Sequence, residues 1–125
     1  MSGRPLPRTW LLAALPALAL AGCGHVARVG PGATLQVALN EYRVTPQDVR
    51  AGSGPLTIVV HNDGRLTHDL VITQDGRQTA ATEPLAPGQT TDLVTTLAPG
   101  RYLMASTILS DQALGAYGTL NVGQQ

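Results

Sequence analysis

The chain has 125 residues, with eight Arg and no Lys against eight Asp and Glu, for a formal charge of zero. That length allows one domain. A single Cys excludes an internal disulfide and a Cys-rich metal cage, and balanced charge without a basic block excludes a nucleic-acid binder, which needs a cationic face.

The N-terminal segment reads as an address. Arg4 and Arg8 form a short positive region, and the apolar stretch from Trp10 to Ala21 follows it. The stretch is too short to span a bilayer comfortably and holds Pro16 in its middle, which is signal-peptide grammar. It ends Leu20-Ala21-Gly22-Cys23, and small residues just before a lone Cys resemble a bacterial lipobox. The resemblance implies lipidation of Cys23 and cleavage before it, removing residues 1–22. Two or three acyl chains at one point give stable attachment, so the mature chain is expected at the extracytoplasmic face of a bacterial cell membrane. Loss of Arg4 and Arg8 leaves six Arg against eight acids, a charge of −2.

Residues 24–33 carry three Gly and one Pro without periodicity, so 23–33 reads as a lipidated Cys and flexible tether. His25, two residues from the lipid, reads as solvated polar surface. Residues 34–125 form the domain, which should bury roughly 65% of its unfolded surface. With no Phe, and Trp10 lost with the signal, its core must come from Leu, Val, Ile, Ala, Tyr and Met104.

The domain pattern is β throughout. Leu35, Val37 and Leu39 alternate with polar or small residues, as do Leu56, Ile58 and Val60. Asp69–Thr73 is a short apolar strand, Leu93, Thr95 and Leu97 share a face, Tyr102, Met104 and Ser106 share another, and Thr119–Val122 closes the chain. Turn signals separate them at 51–55, 62–64, 75–76, 86–88 and 98–100. Ser110–Leu114 allows one helical turn at most. Short strands at regular spacing predict an all-β sandwich or barrel. The scattered acids Asp63, Asp69, Asp75, Glu83 and Asp92 read as solvated charge, and Tyr42, Tyr102 and Tyr117 as core and turn-corner residues.

Five pieces carry a family resemblance: Tyr42–Pro46 with Val49–Gly52; Ile58–Asn62, Gly64 and His68–Ile72; Leu85–Gly88; Leu97–Tyr102; and Gly115–Val122. In this order and spacing they resemble a cupredoxin, over about residues 34–122. The resemblance implies a Greek-key β-sandwich of seven or eight strands. It also implies a blue-copper centre of two His, one Cys and a weak axial Met. Here His68 stands at the first ligand position. By position, Ser106 replaces the Cys, Asp111 the second His and Ala116 the Met. A Ser hydroxyl cannot supply the thiolate a blue site needs, so the resemblance does not carry electron transfer across.

Three readings of the altered site follow. In the first, Asp111 and Ser106 hydrogen-bond His68 and fill the former metal position with a polar network. In the second, His68 and Asp111, with His61 or water, hold Cu(II) or Zn(II), and Met104 adds a soft Cu(I) ligand. Strand alternation points His61 opposite to Val60, against that reading, and Met104 shares the face of Tyr102, as core filler does. In the third, Ser106, His68 and Asp111 form a hydrolase triad, but Ser106 has no nucleophile elbow and no oxyanion hole. The first is favoured. The expectation is a membrane-anchored, non-enzymatic binding module without a resident cofactor, whose loops around His68 and 109–117 meet an extracytoplasmic protein partner. The alternative is a copper-handling lipoprotein.

Overall fold

Alternation of apolar and polar side chains builds two sheets that share one core. The computed structural model of the chain describes Gly3 and residues 26–123. Its strands are β1 (Val26–Val29), β2 (Thr34–Asn40), β3 (Arg43–Thr45), β4 (Asp48–Gly52), β5 (Gly54–Asn62), β6 (Val71–Gln74), β7 (Arg77–Ala81), β8 (Thr90–Leu97), β9 (Gly100–Ala105) and β10 (Tyr117–Gly123). One sheet has the order β1-β4-β10-β9-β6-β7 and the other β3-β2-β5-β8. Both are mixed: β4 runs parallel to β1 and β10, and β2 parallel to β5, while the remaining pairs are antiparallel.

The expected core faces are the observed ones. Leu35, Val37 and Leu39 of β2 and Leu56, Ile58 and Val60 of β5 are buried. They pack in one cluster with Val49, Ile72, Tyr102, Met104, Leu120 and Val122 of the other sheet. Full burial of side chains of this size contributes about 1.5–3 kcal/mol each. Asp75 and Gly76, at φ 51° and 78°, make the two-residue β6–β7 hairpin, the left-handed pair that a right-twisted hairpin requires.

Two boundaries differ from the sequence reading. Residues 26–29 are a strand, not tether: β1 lies parallel on the free edge of β4, and Val29 is buried in the core. Four residues among Gly and Pro show too little periodicity to reveal a strand that exists by pairing. The strand count is ten rather than seven or eight. The stretch Tyr42–Gly52 holds two of them, β3 in one sheet and β4 in the other. Apart from Gly3, the signal segment lies outside the described residues, as do Cys23 and His25.

Three connections cluster at one end of the sandwich: β2 to β3, β5 to β6 through His68, and β9 to β10 through residues 106–116. Asp63 N donates to Leu39 O, and Ser106 N to Ala116 O, closing this end. Among the described residues there is no helix, and 110–115 is a single turn closed by Leu114 N on Ser110 O.

Candidate functional site

The turn after β5 sets the position of His68. Asn62 is buried and its amide is fully used: Oδ1 accepts from Gly64 N at 2.8 Å, and Nδ2 donates to Leu66 O and Leu85 O, both at 2.8 Å. This closed Asx turn folds 62–66 back on itself. His68 then pairs with Leu85 through both backbone groups, at 3.1 and 2.7 Å, so its main chain is fixed before the ring makes any contact.

The imidazole is completely buried and engaged on both sides. Nδ1 donates to Asp111 Oδ2 at 2.6 Å, and Nε2 faces Glu41 Oε1 at 3.3 Å. The same Asp111 oxygen accepts the Ser106 hydroxyl at 2.6 Å. Asp111 is itself held by its backbone, which donates to Ile108 O and accepts from Ala116 N at 2.9 Å. Buried Ala116 thus takes part through its main chain alone. The three residues that alignment by position placed together are together. Every buried polar side-chain atom among the described residues has a partner, as a closed low-dielectric network requires.

Glu41 belongs to the site, although no pattern around it marks it as a site residue. It follows β2, and its Oε1 accepts from Arg65 N at 2.5 Å and Leu66 N at 2.9 Å. These donors, Arg65 foremost, with Glu41's own backbone and His68, outweigh desolvation and hold its carboxyl at about 2, well below the usual 4.5. Gly64 leaves room for the contact: a Cβ there would stand 2.9 Å from His68 Nε2 and closer still to Glu41 Oε1.

Asp69 corrects the sequence reading. It is buried, not solvated. Its Oδ1 accepts from Thr107 N at 2.6 Å and its Oδ2 from Thr107 Oγ1 at 2.8 Å, which ties the start of the 106–116 loop to the His68 segment. Of the tyrosines, Tyr102 is core, its hydroxyl donating to Ala98 O at 2.7 Å, and Tyr42 stands exposed in the β2–β3 turn, while Tyr117, exposed at the start of β10, is neither core nor turn. The remaining metal candidates lie apart from the network. His61 Nδ1 contacts Thr90 Oγ1 at 2.6 Å across β5 and β8, and Met104 is fully buried in the core, level with Ile72 and Gly118.

The arrangement is not hydrolytic. In a triad the His lies between Ser and Asp, whereas here the Asp lies between Ser and His, and Ser106 is buried from any substrate. It does not fit a blue-copper ion either. The ring nitrogens of His68 are both met by carboxylates, the neighbouring Ser106 offers a hydroxyl and no thiolate, and no group of three or more His, Cys, Asp or Glu among the described residues is arranged to hold a metal.

The two-sheet topology has clear counterparts among solved structures. An auracyanin from the photosynthetic bacterium Roseiflexus castenholzii is 21% identical, with a TM-score of 0.66 over 73% of this chain and 97% of that one. Auracyanin A of Chloroflexus aurantiacus, described as a "blue" copper protein, is 17% identical, with a TM-score of 0.65 over 75% and 100%. A purple cupredoxin from Nitrosopumilus maritimus is 16% identical, with a TM-score of 0.57 over 71% and 99%. The fold is that of the cupredoxins. At these identities the likeness carries the fold alone. No protein-family model matches the chain, and no curated protein matches its sequence.

Proposed function

We propose that this protein is a lipid-anchored, extracytoplasmic, non-enzymatic binding module on a cupredoxin scaffold, in which a hydrogen-bonded network stands where its fold relatives place copper. The observation that carries the reading is Asp111 Oδ2, at 2.6 Å from both His68 Nδ1 and Ser106 Oγ. A metal at that position would have to break both bonds and take a hydroxyl in place of a thiolate. The anchor is supported by the signal grammar and the lipobox-like Leu20–Cys23. The network braces the 106–116 loop, so this end of the sandwich serves as its recognition end.

The test is a titration of Cu(I) and Cu(II) into the full chain carrying Cys23→Ser, which removes its only thiol. The reading expects no tight one-to-one complex and no visible band. Tight one-to-one binding that His68→Ala abolishes would make the protein a copper handler with a remodelled site. A reversible redox wave would make it an electron carrier.

A further inference from the structure

The exposed large apolar side chains are not scattered. Of the seven among the described residues, Val94 lies on β8, and the other six are Val26, Tyr42, Leu66, Leu109, Leu114 and Tyr117. All six belong to the end of the sandwich that holds His68. Leu66 N shares the Glu41 carboxylate with Arg65 N, Tyr42 is the residue after Glu41, and the Tyr42 carbonyl lies against Gly115. Leu109 and Leu114 are in the 106–116 loop, and Tyr117 opens β10.

The loop is built to show these residues. Leu109 is 92% exposed at φ 55°, a left-handed conformation that a bulky side chain rarely adopts. The turn on either side of it is fastened from below by the Asp111 backbone and by its buried carboxylate on His68 and Ser106. Asp111 is the only charged residue between 106 and 117, and it is buried, so the outer surface of the loop carries no charge. An open, mostly apolar groove of about 530 Å³, lined by Leu103, Leu109, Ala113 and Tyr117 among others, continues that surface. The charges around it, Glu41, Asp48 and Asp63 against Arg43 and Arg65, leave an excess of only one negative charge.

The path of the chain says what this face meets. Val26 and Thr119 both pair with Asp48, in parallel register. The first residue of β1 is therefore level with β10 just below Tyr117, two strand spacings or about 10 Å across the sheet. Cys23 precedes Val26 by three residues, a reach of about 10 Å at most. An acyl anchor on Cys23 thus holds the bilayer against the Leu109 end of the sandwich. We infer that the surface formed by Leu109, Leu114, Tyr117, Tyr42 and Leu66 seats in the membrane interface, so that the first partner of the recognition end is a lipid surface. Leucines that enter the boundary between headgroups and acyl chains, with tyrosines at its rim, suit that environment. The inference rests on the anchored reading given above.

The test uses the full chain, processed in a bacterial host and reconstituted in phosphatidylcholine vesicles doped with phosphatidylcholine brominated along its acyl chains. With Cys23 acylated, Leu109→Cys provides the only free thiol, and it takes an environment-sensitive fluorophore. Leu114→Cys gives an independent second position. Ser53→Cys, exposed at the opposite end between β4 and β5, is the control. Mass spectrometry of the recovered chain establishes acylation. The expected result is that the labels at 109 and 114 lose about half or more of their emission to the brominated lipid, at the shallow depth reached by interfacial side chains. The label at 53 stays bright. An acylated chain whose labels at 109 and 114 stay bright overturns the lipid contact alone and leaves this face to a protein partner or a second copy. Quenching at 53 instead overturns the orientation. An unacylated Cys23 overturns the anchor, and the contact falls with it.

Discussion

Asp111 Oδ2 lies 2.6 Å from His68 Nδ1, and both residues are buried. Breaking a buried pair by removing one partner leaves the other without compensation. Asp111→Ala is therefore expected to lower the unfolding free energy by about 3 kcal/mol. Ser106→Ala, which leaves the His68 contact intact, should cost only about 1 kcal/mol. Urea unfolding of the single variants and of the His68→Ala/Asp111→Ala double variant checks this. Coupled groups make the double variant cost clearly less than the two singles added together, and a cost equal to that sum would mean that they do not act as a pair.

Glu41 gives the molecule a sensitivity to acid. Its carboxyl is held at about 2 in the folded chain, against 4.5 ordinarily. Between those values the unfolded chain binds the proton and the folded chain does not, so stability rises with pH across that window. The contribution is complete above about pH 4.5 and is lost as pH falls toward 2. Glu41→Gln should flatten the slope of stability against pH in that interval. Chemical unfolding at a series of pH values reads it directly, and an unchanged slope would assign the acid sensitivity to other groups.

Two glycines separate tolerant from intolerant contacts. A Cβ at Gly118 would run into the Gln47 backbone carbonyl, where β10 passes the start of β4. A Cβ at Gly64 first meets the end of the Glu41 side chain, which can move. Gly118→Ala should therefore cost about 2–3 kcal/mol and Gly64→Ala about 1 kcal/mol. Thermal unfolding of the two variants side by side tests the order. The Gly64 variant should also lose the acid dependence assigned to Glu41.

Position in the fold also makes the altered ligand set a testable substitution. Ser106 and Asp111 share one oxygen contact near His68, and Ala116 is bonded to both through its backbone. Ser106→Cys, Asp111→His and Ala116→Met together are expected to produce a visible charge-transfer band on adding Cu(II), where the unaltered chain stays colourless. A colourless triple variant would mean that the loop geometry, rather than the side chains alone, has departed from a copper-binding form.

Much of this was legible because period-two alternation is a local signal. Leu35–Leu39 and Leu56–Val60 declare their buried face without reference to anything distant, and the turn residues between strands do the same. The meeting of His68, Ser106 and Asp111 came from positional likeness to the cupredoxins, and it holds in the structure. Glu41 escaped because its role depends on Arg65 and Leu66 amides more than twenty residues away, and nothing beside it in sequence marks it. Asp69 escaped for a related reason. Its burial is decided by Thr107, which the pairing of β6 with β9 in one sheet brings beside it. β1 was hidden because Val26–Val29 is a strand only by virtue of the β4 edge it covers. The apolar end was hidden because Tyr42, Leu66 and Leu109 are isolated in sequence and gather only in three dimensions.

The parallel pairing of β1 with β4 has a mechanical consequence. Only Gly24 and His25 separate Cys23 from Val26, where β1 begins, and β1 runs away from the end that holds His68. In the proposed anchored form, a pull on the lipid would act along the strand axis and across four paired residues at once, from Val26↔Asp48 to Val29↔Ala51. The ladder is loaded in shear, with its bonds sharing the force, rather than peeled one at a time. The β1–β4 seam would therefore reinforce an attachment at Cys23, and drag on the domain would reach the core before it freed the first strand.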